Sequence, residues 1–178
     1  KAEASTILES CGVKPGGYCV VTMHRPANVD DPAVFGRLVG VFEELHRDLA
    51  IVFPIHPRTR KNMGASGLLK KFERLERLQM VEPLGYLDFL KLMAHAGIVL
   101  TDSGGIQEET TILGVPCLTL RENTERPVTL TQGTNRLVGM DPQRILTAYR
   151  QIRQGGLKSG RRPEGWDGKA AQRIARII

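Results

Sequence analysis

The chain has 178 residues, 41% of them hydrophobic and 25% charged. That is the size of one globular domain with a buried core, with room for a single three-layer α/β sandwich but not for two. The formal net charge is +6, but 25 Lys and Arg are mixed with 19 Asp and Glu, and the basic stretches at 58–61, 70–77 and 161–162 hold a single aromatic residue, Phe72, rather than an interleaved stacking platform, so the charge fits a small anion such as a nucleotide diphosphate at least as well as a nucleic acid.

An apolar run at 18–22 is the first predicted strand. Asp31-Pro32 then marks a helix start, a capping carboxylate followed by proline at the first helical position, and opens a predicted helix over 32–48. A second strand is predicted at 50–55 and a helix at 61–76, where Glu73 and Glu76 break the basic run as on a solvated face. A strand at 78–81, a helix at 86–96, a strand at 97–101 and a helix at 104–113 follow. Gly114-Val115-Pro116 closes that helix and opens a strand at 115–120. The sixth strand is predicted at 134–138. Asp141-Pro142 repeats the helix start for 142–154, and the last helix is predicted over 168–178. Between these two, residues 154–165 are rich in Gly, Arg and Lys and read as an exposed connection. Strands alternating with helices at this spacing predict an α/β fold, a parallel sheet with helices on both faces and right-handed crossovers. Ligands of such sheets bind beyond the carboxyl ends of the strands, so functional residues are expected just after each strand.

The three cysteines, Cys11, Cys19 and Cys117, form no CxxC pair, which argues against a disulfide framework and a structural zinc site. Cys19 and Cys117 lie in strand-like runs and read as core thiols. Apolar runs such as 49–53 and 97–100 are far too short to cross a bilayer, and no signal peptide is visible, so a cytoplasmic protein without membrane partners is expected. The first residue is Lys1 rather than methionine, which suggests a processed or trimmed chain.

The sharpest local feature is Thr101-Asp102-Ser103-Gly104-Gly105-Ile106-Gln107-Glu108-Glu109, which leads from a strand into a helix. Gly104 and Gly105 at a helix N-terminus allow a ligand close to the backbone and offer free N–H groups to an anion. Ser103 adds a hydroxyl, and Glu109 lies one turn beyond Gly105 on the same helical face, where a carboxylate suits two ribose hydroxyls. Taken alone, the segment serves equally well as a helix start capped by Asp or Ser. It is neither a Walker loop nor a Gly-x-Gly-x-x-Gly fingerprint. Thr22-Met23-His24-Arg25-Pro26-Ala27-Asn28 ends the first strand and puts His24 and Arg25 at the crevice, where both suit anion contact; such a pair is also common on ordinary surfaces. His56-Pro57-Arg58 repeats the arrangement after the second strand, though the proline beside His56 could simply shape the turn. His46 and His95 fall within predicted helices and read as structural or exposed. No histidine pair has metal-ligand spacing, so no metal site is expected. Arg121-Glu122-Asn123-Thr124-Glu125-Arg126-Pro127 follows the fifth strand, either as a solvated loop or as a lining of the crevice. Gly133-Thr134-Asn135 is turn chemistry of little specificity.

Together and in this order, these features resemble the C-terminal domain of non-hydrolysing UDP-N-acetylglucosamine 2-epimerases. The resemblance rests on Val21-Thr22-Met23-His24-Arg25, Pro54-Ile55-His56-Pro57, Pro83-Leu84-Gly85-Tyr86, residues 101–109, Thr124-Glu125-Arg126-Pro127 and Asp167-Gly168-Lys169-Ala170-Ala171, and it spans nearly the whole chain. It implies a Rossmann-like domain forming one half of a glycosyltransferase-B architecture. Residues 1–178 would be the UDP-binding half, facing an N-terminal domain that these residues do not include. It further implies that Ser103, Gly104 and Gly105 meet the diphosphate and that Glu109 holds the ribose. Leu84, Phe89 and the segment between them would line the uracil pocket, Arg126 would contact the substrate, and His24 would touch the diphosphate leaving group as the catalytic contribution. Arg25 and His56 resemble positions where bacterial members bind a second, activating UDP-N-acetylglucosamine.

The family reaction inverts carbon 2 to give UDP-N-acetylmannosamine, by elimination of UDP to a glycal and re-addition. Acid/base carboxylates of the N-terminal domain move the protons. The chain alone is therefore expected to bind UDP and UDP-N-acetylglucosamine without turnover, to need no cofactor, and to form a homodimer when full length. Ala27 and Val128 stand where many members have glutamate, which leaves the sugar and the activating site open. Two other readings fit the same crevice: the donor-binding half of a UDP-sugar glycosyltransferase, and a non-catalytic UDP-sugar-binding module.

Overall fold

The computed structural model describes residues 1–156 and 160–177. The strands are β1 (Tyr18–Thr22), β2 (Ala50–Pro54), β3 (Leu78–Val81), β4 (Ile98–Thr101), β5 (Cys117–Thr119) and β6 (Asn135–Leu137), in the spatial order β3-β2-β1-β4-β5-β6. Every neighbouring pair is parallel. The order reverses between β1 and β4, the position where doubly wound sheets open a ligand crevice.

Strands β1, β2, β4 and β5 are apolar up to their last residues because both faces are covered, whereas the edge strands carry polar residues, Gln79 in β3 and Asn135 and Arg136 in β6. Successive side chains point to opposite faces. Cys19, Val21, Ile51, Phe53, Leu100 and Leu118 enter one core, and Tyr18, Val20, Val52, Val99 and Cys117 enter the other. Cys11 is buried as well, and burial pushes the thiols of Cys11 and Cys19 up and that of Cys117 to about 12. They are core residues, as expected for Cys19 and Cys117.

The first core is covered by α3 (Pro32–Gly36), α4 (Leu38–Asp48), α5 (Pro57–Ala65), α6 (Leu68–Phe72) and α10 (Pro142–Arg153). On α4, Leu38, Val41, Phe42 and Leu45 recur at helical spacing and are fully buried. Phe35 stacks on Phe72 at 5.6 Å between ring centroids, and Phe42 meets Phe72 edge-on at 5.1 Å. The second core lies under α1 (Ile7–Ser10), α7 (Tyr86–Ala94) and α8 (Gly104–Leu113). Short helices α2 (Pro26–Val29) and α9 (Pro127–Thr131) and the terminal α11 (Ala170–Ile177) complete the described elements.

Several sequence expectations are corrected. The helix predicted over 32–48 breaks at Arg37, whose N–H turns back three residues to the Val34 carbonyl at 3.3 Å, beside Gly36 with its low helix propensity. The helix predicted over 61–76 starts earlier, at Pro57, and is split by Gly67, whose φ of 72° lies in the left-handed region that favours glycine. The strands predicted at 115–120 and 134–138 shorten to three residues each. The connection at 154–165 is not uniformly exposed: Pro163 is buried, and the Arg161 N–H donates to the Gln132 carbonyl at 2.7 Å. Residues 157–159 of that connection and Ile178 of the last predicted helix lie outside the described residues. Among the described residues, no helix is long and apolar enough to cross a membrane.

Candidate nucleotide site

The carboxyl ends of β1 and β4 are tied together by Asp102, and Asn28 links them on to β5. Asp102, fully buried after β4, accepts from the backbone N–H groups of His24 (3.1 Å) and Arg25 (2.9 Å) and from Asn28 Nδ2 (3.2 Å). His24 Nδ1 lies 3.1 Å from its other oxygen. Asn28 Nδ2 also donates to the Leu120 carbonyl at 3.0 Å, and Arg25 Nε to the Asp102 carbonyl at 2.9 Å. The His24-Arg25 loop is therefore held by a buried carboxylate rather than left as free surface. Asp102 was expected to be no more than a possible helix cap.

The helix start at α8 is uncapped. Ser103 is its N-cap residue, yet no side chain accepts from the first turn. Among the described residues the Ser103 hydroxyl makes no hydrogen bond, and its N–H goes to Thr101 Oγ1 at 3.0 Å. This removes the simple capped-helix reading of the segment, because Asp102 is committed elsewhere and Ser103 is idle. The first-turn N–H groups of such a helix lack intrahelical partners and carry the positive end of its dipole.

Neither glycine in this turn is required by the fold. Both have ordinary negative φ. A Cβ at Gly104 would meet nothing within 4 Å, and one at Gly105 only the Ser103 hydroxyl at 4.0 Å. Glu109, one turn on, is partly buried and joins no hydrogen bond or ion pair among the described residues. Burial and then the neighbouring Glu108 carboxylate push its carboxyl above the usual range. Free donors, two unneeded glycines and an unpaired carboxylate thus share one helix.

The remaining expected residues divide between neighbouring crevices. His24, His56, Leu84, Phe89 and Ile106 line a crevice of about 200 Å³ at the ends of β1 and β2, where the two histidine rings lie 6.4 Å apart. Glu109 faces a larger, mostly apolar groove of about 570 Å³ between α7 and α8, with Tyr86, Leu90 and Trp166. Tyr86 belongs to the 84–89 segment expected at the uracil, whereas Trp166 in this groove went unread as a site residue, although the chain's one tryptophan in a charged, Gly-rich segment was a signal. Arg25 opens instead on a third crevice with Ala27 and Arg121. His56 caps α5, accepting from the Arg58 N–H at 3.2 Å, so it both shapes the turn and lines the crevice. Of the two remaining histidines, His46 bonds back to the Phe42 and Glu43 carbonyls of its own helix, and His95 ends α7 as its C-cap.

The charged loop after β5 is ordered. Arg121 grips Glu125 through two contacts, at 2.8 and 2.7 Å, which hold the Glu125 carboxyl down at about 2. Arg126 Nε lies 2.7 Å from Glu108 Oε1, without hydrogen-bond alignment. Gln107, fully buried, connects this loop to the glycine turn. Its amide donates to the Ser103 carbonyl (3.2 Å) and accepts from Thr124 Oγ1 (2.6 Å), which in turn accepts from the Arg126 N–H at 3.0 Å. Gly133 belongs to the same packing and is less generic than its sequence implied: a Cβ there would collide with Thr111 Oγ1 and come within 2.6 Å of the Thr129 carbonyl. Thr124→Val leaves Gln107 Oε1 and the Arg126 N–H without partners and is expected to cost about 1–2 kcal/mol, measured by urea unfolding.

A model of the family described as UDP-N-acetylglucosamine 2-epimerase matches residues 1–178. The chain belongs to the UDP-N-acetylglucosamine 2-epimerase family. It is 43% identical over 166 residues to the UDP-N-acetylglucosamine 2-epimerase of Methanococcus maripaludis, covering 90% of this chain and 44% of that protein. It is also 34% identical over 163 residues to the UDP-2,3-diacetamido-2,3-dideoxy-D-glucuronate 2-epimerase of Pseudomonas aeruginosa, covering 91% of this chain and 44% of that protein. The Methanocaldococcus jannaschii UDP-GlcNAc 2-epimerase, solved in complex with UDP-GlcNAc and UDP, superposes with a TM-score of 0.83 at 37% identity over 99% of this chain and 50% of that one. The chain thus spans about half the length of these epimerase-family relatives.

Proposed function

We propose that this chain is the UDP-binding half of a UDP-N-acetylglucosamine 2-epimerase, and that by itself it binds nucleotide without turnover. The observation that carries this reading is the α8 start, where an idle Ser103 hydroxyl, two glycines the fold does not need and the unpaired Glu109 share one helix. In this reading the first-turn N–H groups and Ser103 bind the diphosphate, Glu109 accepts from both ribose hydroxyls, and Leu84 and Phe89 border the uracil. Arg126 reaches the substrate from the loop that Gln107 ties to the same turn. His24 faces the diphosphate as it leaves carbon 1. Arg25 and His56 serve a second, activating nucleotide sugar.

The reaction removes the carbon 2 proton and breaks the bond from carbon 1 to the diphosphate oxygen, leaving a glycal. Re-addition of UDP at carbon 1, with a proton delivered to the other face of carbon 2, gives UDP-N-acetylmannosamine. The carboxylates that move these protons belong to the half of the relatives' length that this chain does not span, and the assembled protein acts as a homodimer. Support for this division comes from the absence of a carboxylate among the residues lining the His24 crevice.

Joining the chain to the N-terminal half of the Methanococcus maripaludis relative tests the reading. Proton NMR is expected to show UDP-N-acetylglucosamine converting to UDP-N-acetylmannosamine with the joined protein and no conversion with the chain alone. Turnover by the chain alone, or a folded joined protein inert toward every UDP-sugar offered, contradicts it. The similarity to the Pseudomonas aeruginosa epimerase favours a second reading of the sugar, a diacetamido uronate, which the same assay separates by substrate.

A further inference from the structure

We infer that Asp102 is a positioning residue that fixes the tautomer of His24 and presents its Nε2 to the crevice. This rests on the reading of His24 as the group facing the diphosphate. Asp102 is completely buried, and among the described residues the hydrogen-bonding partners of its carboxylate all lie just after β1: the backbone N–H groups of His24 and Arg25, Asn28 Nδ2 and His24 Nδ1. These partners lie 74 to 78 residues away in sequence. They meet it because β1 and β4 are neighbours in register, Thr22 beside Thr101.

An ionised carboxylate only accepts hydrogen bonds. The ring nitrogen 3.1 Å from Asp102 Oδ1 therefore carries hydrogen, and Nε2 is the nitrogen left for a ligand. The half-exposed His24 side chain borders the crevice with His56 and Leu84. With Nδ1–H committed to Asp102, a proton gained or lost by the ring is gained or lost at Nε2, on the side where the leaving diphosphate would sit. Had Nδ1 been free to accept, Nε2 would be a fixed donor, unable to take up a proton.

The arrangement also predicts what an amide does in the same place. The Oδ2 side of Asp102 faces the His24 and Arg25 backbone N–H groups and Asn28 Nδ2, three donors that retain an oxygen. In Asp102→Asn the NH2 group then falls opposite His24 Nδ1 and forces that nitrogen to accept, so hydrogen moves to Nε2. Removing a merely structural contact would not invert the tautomer.

The test is two-bond 15N–1H correlation NMR of His24 in the unliganded chain, at a pH where the ring is neutral. The native chain is expected to show a protonated, pyrrole-like Nδ1 and a pyridine-like Nε2, and Asp102→Asn the reverse. A native chain with a pyridine-like Nδ1 overturns the inference, even if the variant does not fold. A folded Asp102→Asn that keeps hydrogen on Nδ1 overturns it as well. Adding UDP to the native chain separates this inference from the functional reading. A shifted His24 Nε2 signal supports the diphosphate role, and UDP that leaves every signal unmoved contradicts that role without touching the tautomer result.

Discussion

Gly105→Ala is expected to weaken UDP binding roughly 10- to 100-fold while leaving the domain as stable as before or about 0.5–1 kcal/mol more stable. The two effects have opposite signs because they come from different partners. In the fold, a Cβ at Gly105 approaches only the Ser103 hydroxyl at 4.0 Å, the backbone there is ordinary helix, and alanine loses less conformational freedom on folding than glycine. In the complex, the same methyl group would stand where a phosphate must approach the first-turn N–H groups. Calorimetric titration with UDP and urea unfolding, run on the same preparation, measure the two effects separately. If Gly105→Ala binds UDP as the native chain does, no phosphate lies against this turn. If the variant unfolds more easily, the glycine was structural after all.

Glu109→Gln is expected to lose about tenfold in UDP affinity, because the amide keeps one acceptor and gives up the charge that strengthens bonds to two hydroxyls. It should also be the more stable protein at neutral pH. Burial and Glu108 raise the Glu109 carboxyl above its usual range, so between the ordinary glutamate value and the raised one the folded chain holds a proton that the unfolded chain has released. The stability contributed by this protonated group is fully present below the ordinary glutamate range and is lost as pH rises through the raised value. The stability gain of Glu109→Gln should therefore appear as pH rises and vanish in acid, as read by thermal unfolding across the pH series. Over the same series, UDP affinity of the native chain should begin to fall on acidification at a higher pH than an ordinary glutamate would give. A variant of unchanged affinity would remove Glu109 from the ribose.

The site thus shows the stability cost that binding sites often carry. A helix start without a side-chain cap, two glycines within its first turn and a half-buried carboxylate without a partner all weaken the empty fold. In the proposed function, a ligand that brings phosphates and hydroxyls accounts for each of them.

Much of the fold was legible because its signals are local. Short, largely apolar runs marked the strands, though Gln79 interrupts β3 and β6 is Asn-Arg-Leu, and their alternation with helical segments gave the parallel sheet. Asp31-Pro32 and Asp141-Pro142 marked real helix starts, with both Asp31 and Asp141 accepting from backbone N–H groups of the turn they open. Helices α2 and α9 were missed although each has proline at its first position. The residue before each is arginine, Arg25 and Arg126, which is no capping residue. The breaks at Arg37 and Gly67 were missed because helical periodicity carries across a single glycine such as Gly36 or Gly67, and the sequence does not show which one turns the chain.

The proposed site residues after β4 were suggested by Ser103-Gly104-Gly105 and the spacing to Glu109. The part played by Asp102 was not, because a carboxylate just before a helix reads locally as a cap, and its true partners come from another strand. The same limit hid Gln107 and Gly133: in sequence they are an ordinary helix residue and a turn glycine, and only the packing of α8 against the loop after β5 gives them their function.

Calorimetric titration of the native chain with UDP tests the central claim most directly. The account predicts saturable binding with one site per chain, weakened in both Gly105→Ala and Glu109→Gln. A folded chain that takes up neither UDP nor a UDP-sugar, alone or joined to the N-terminal half of a relative, would contradict it.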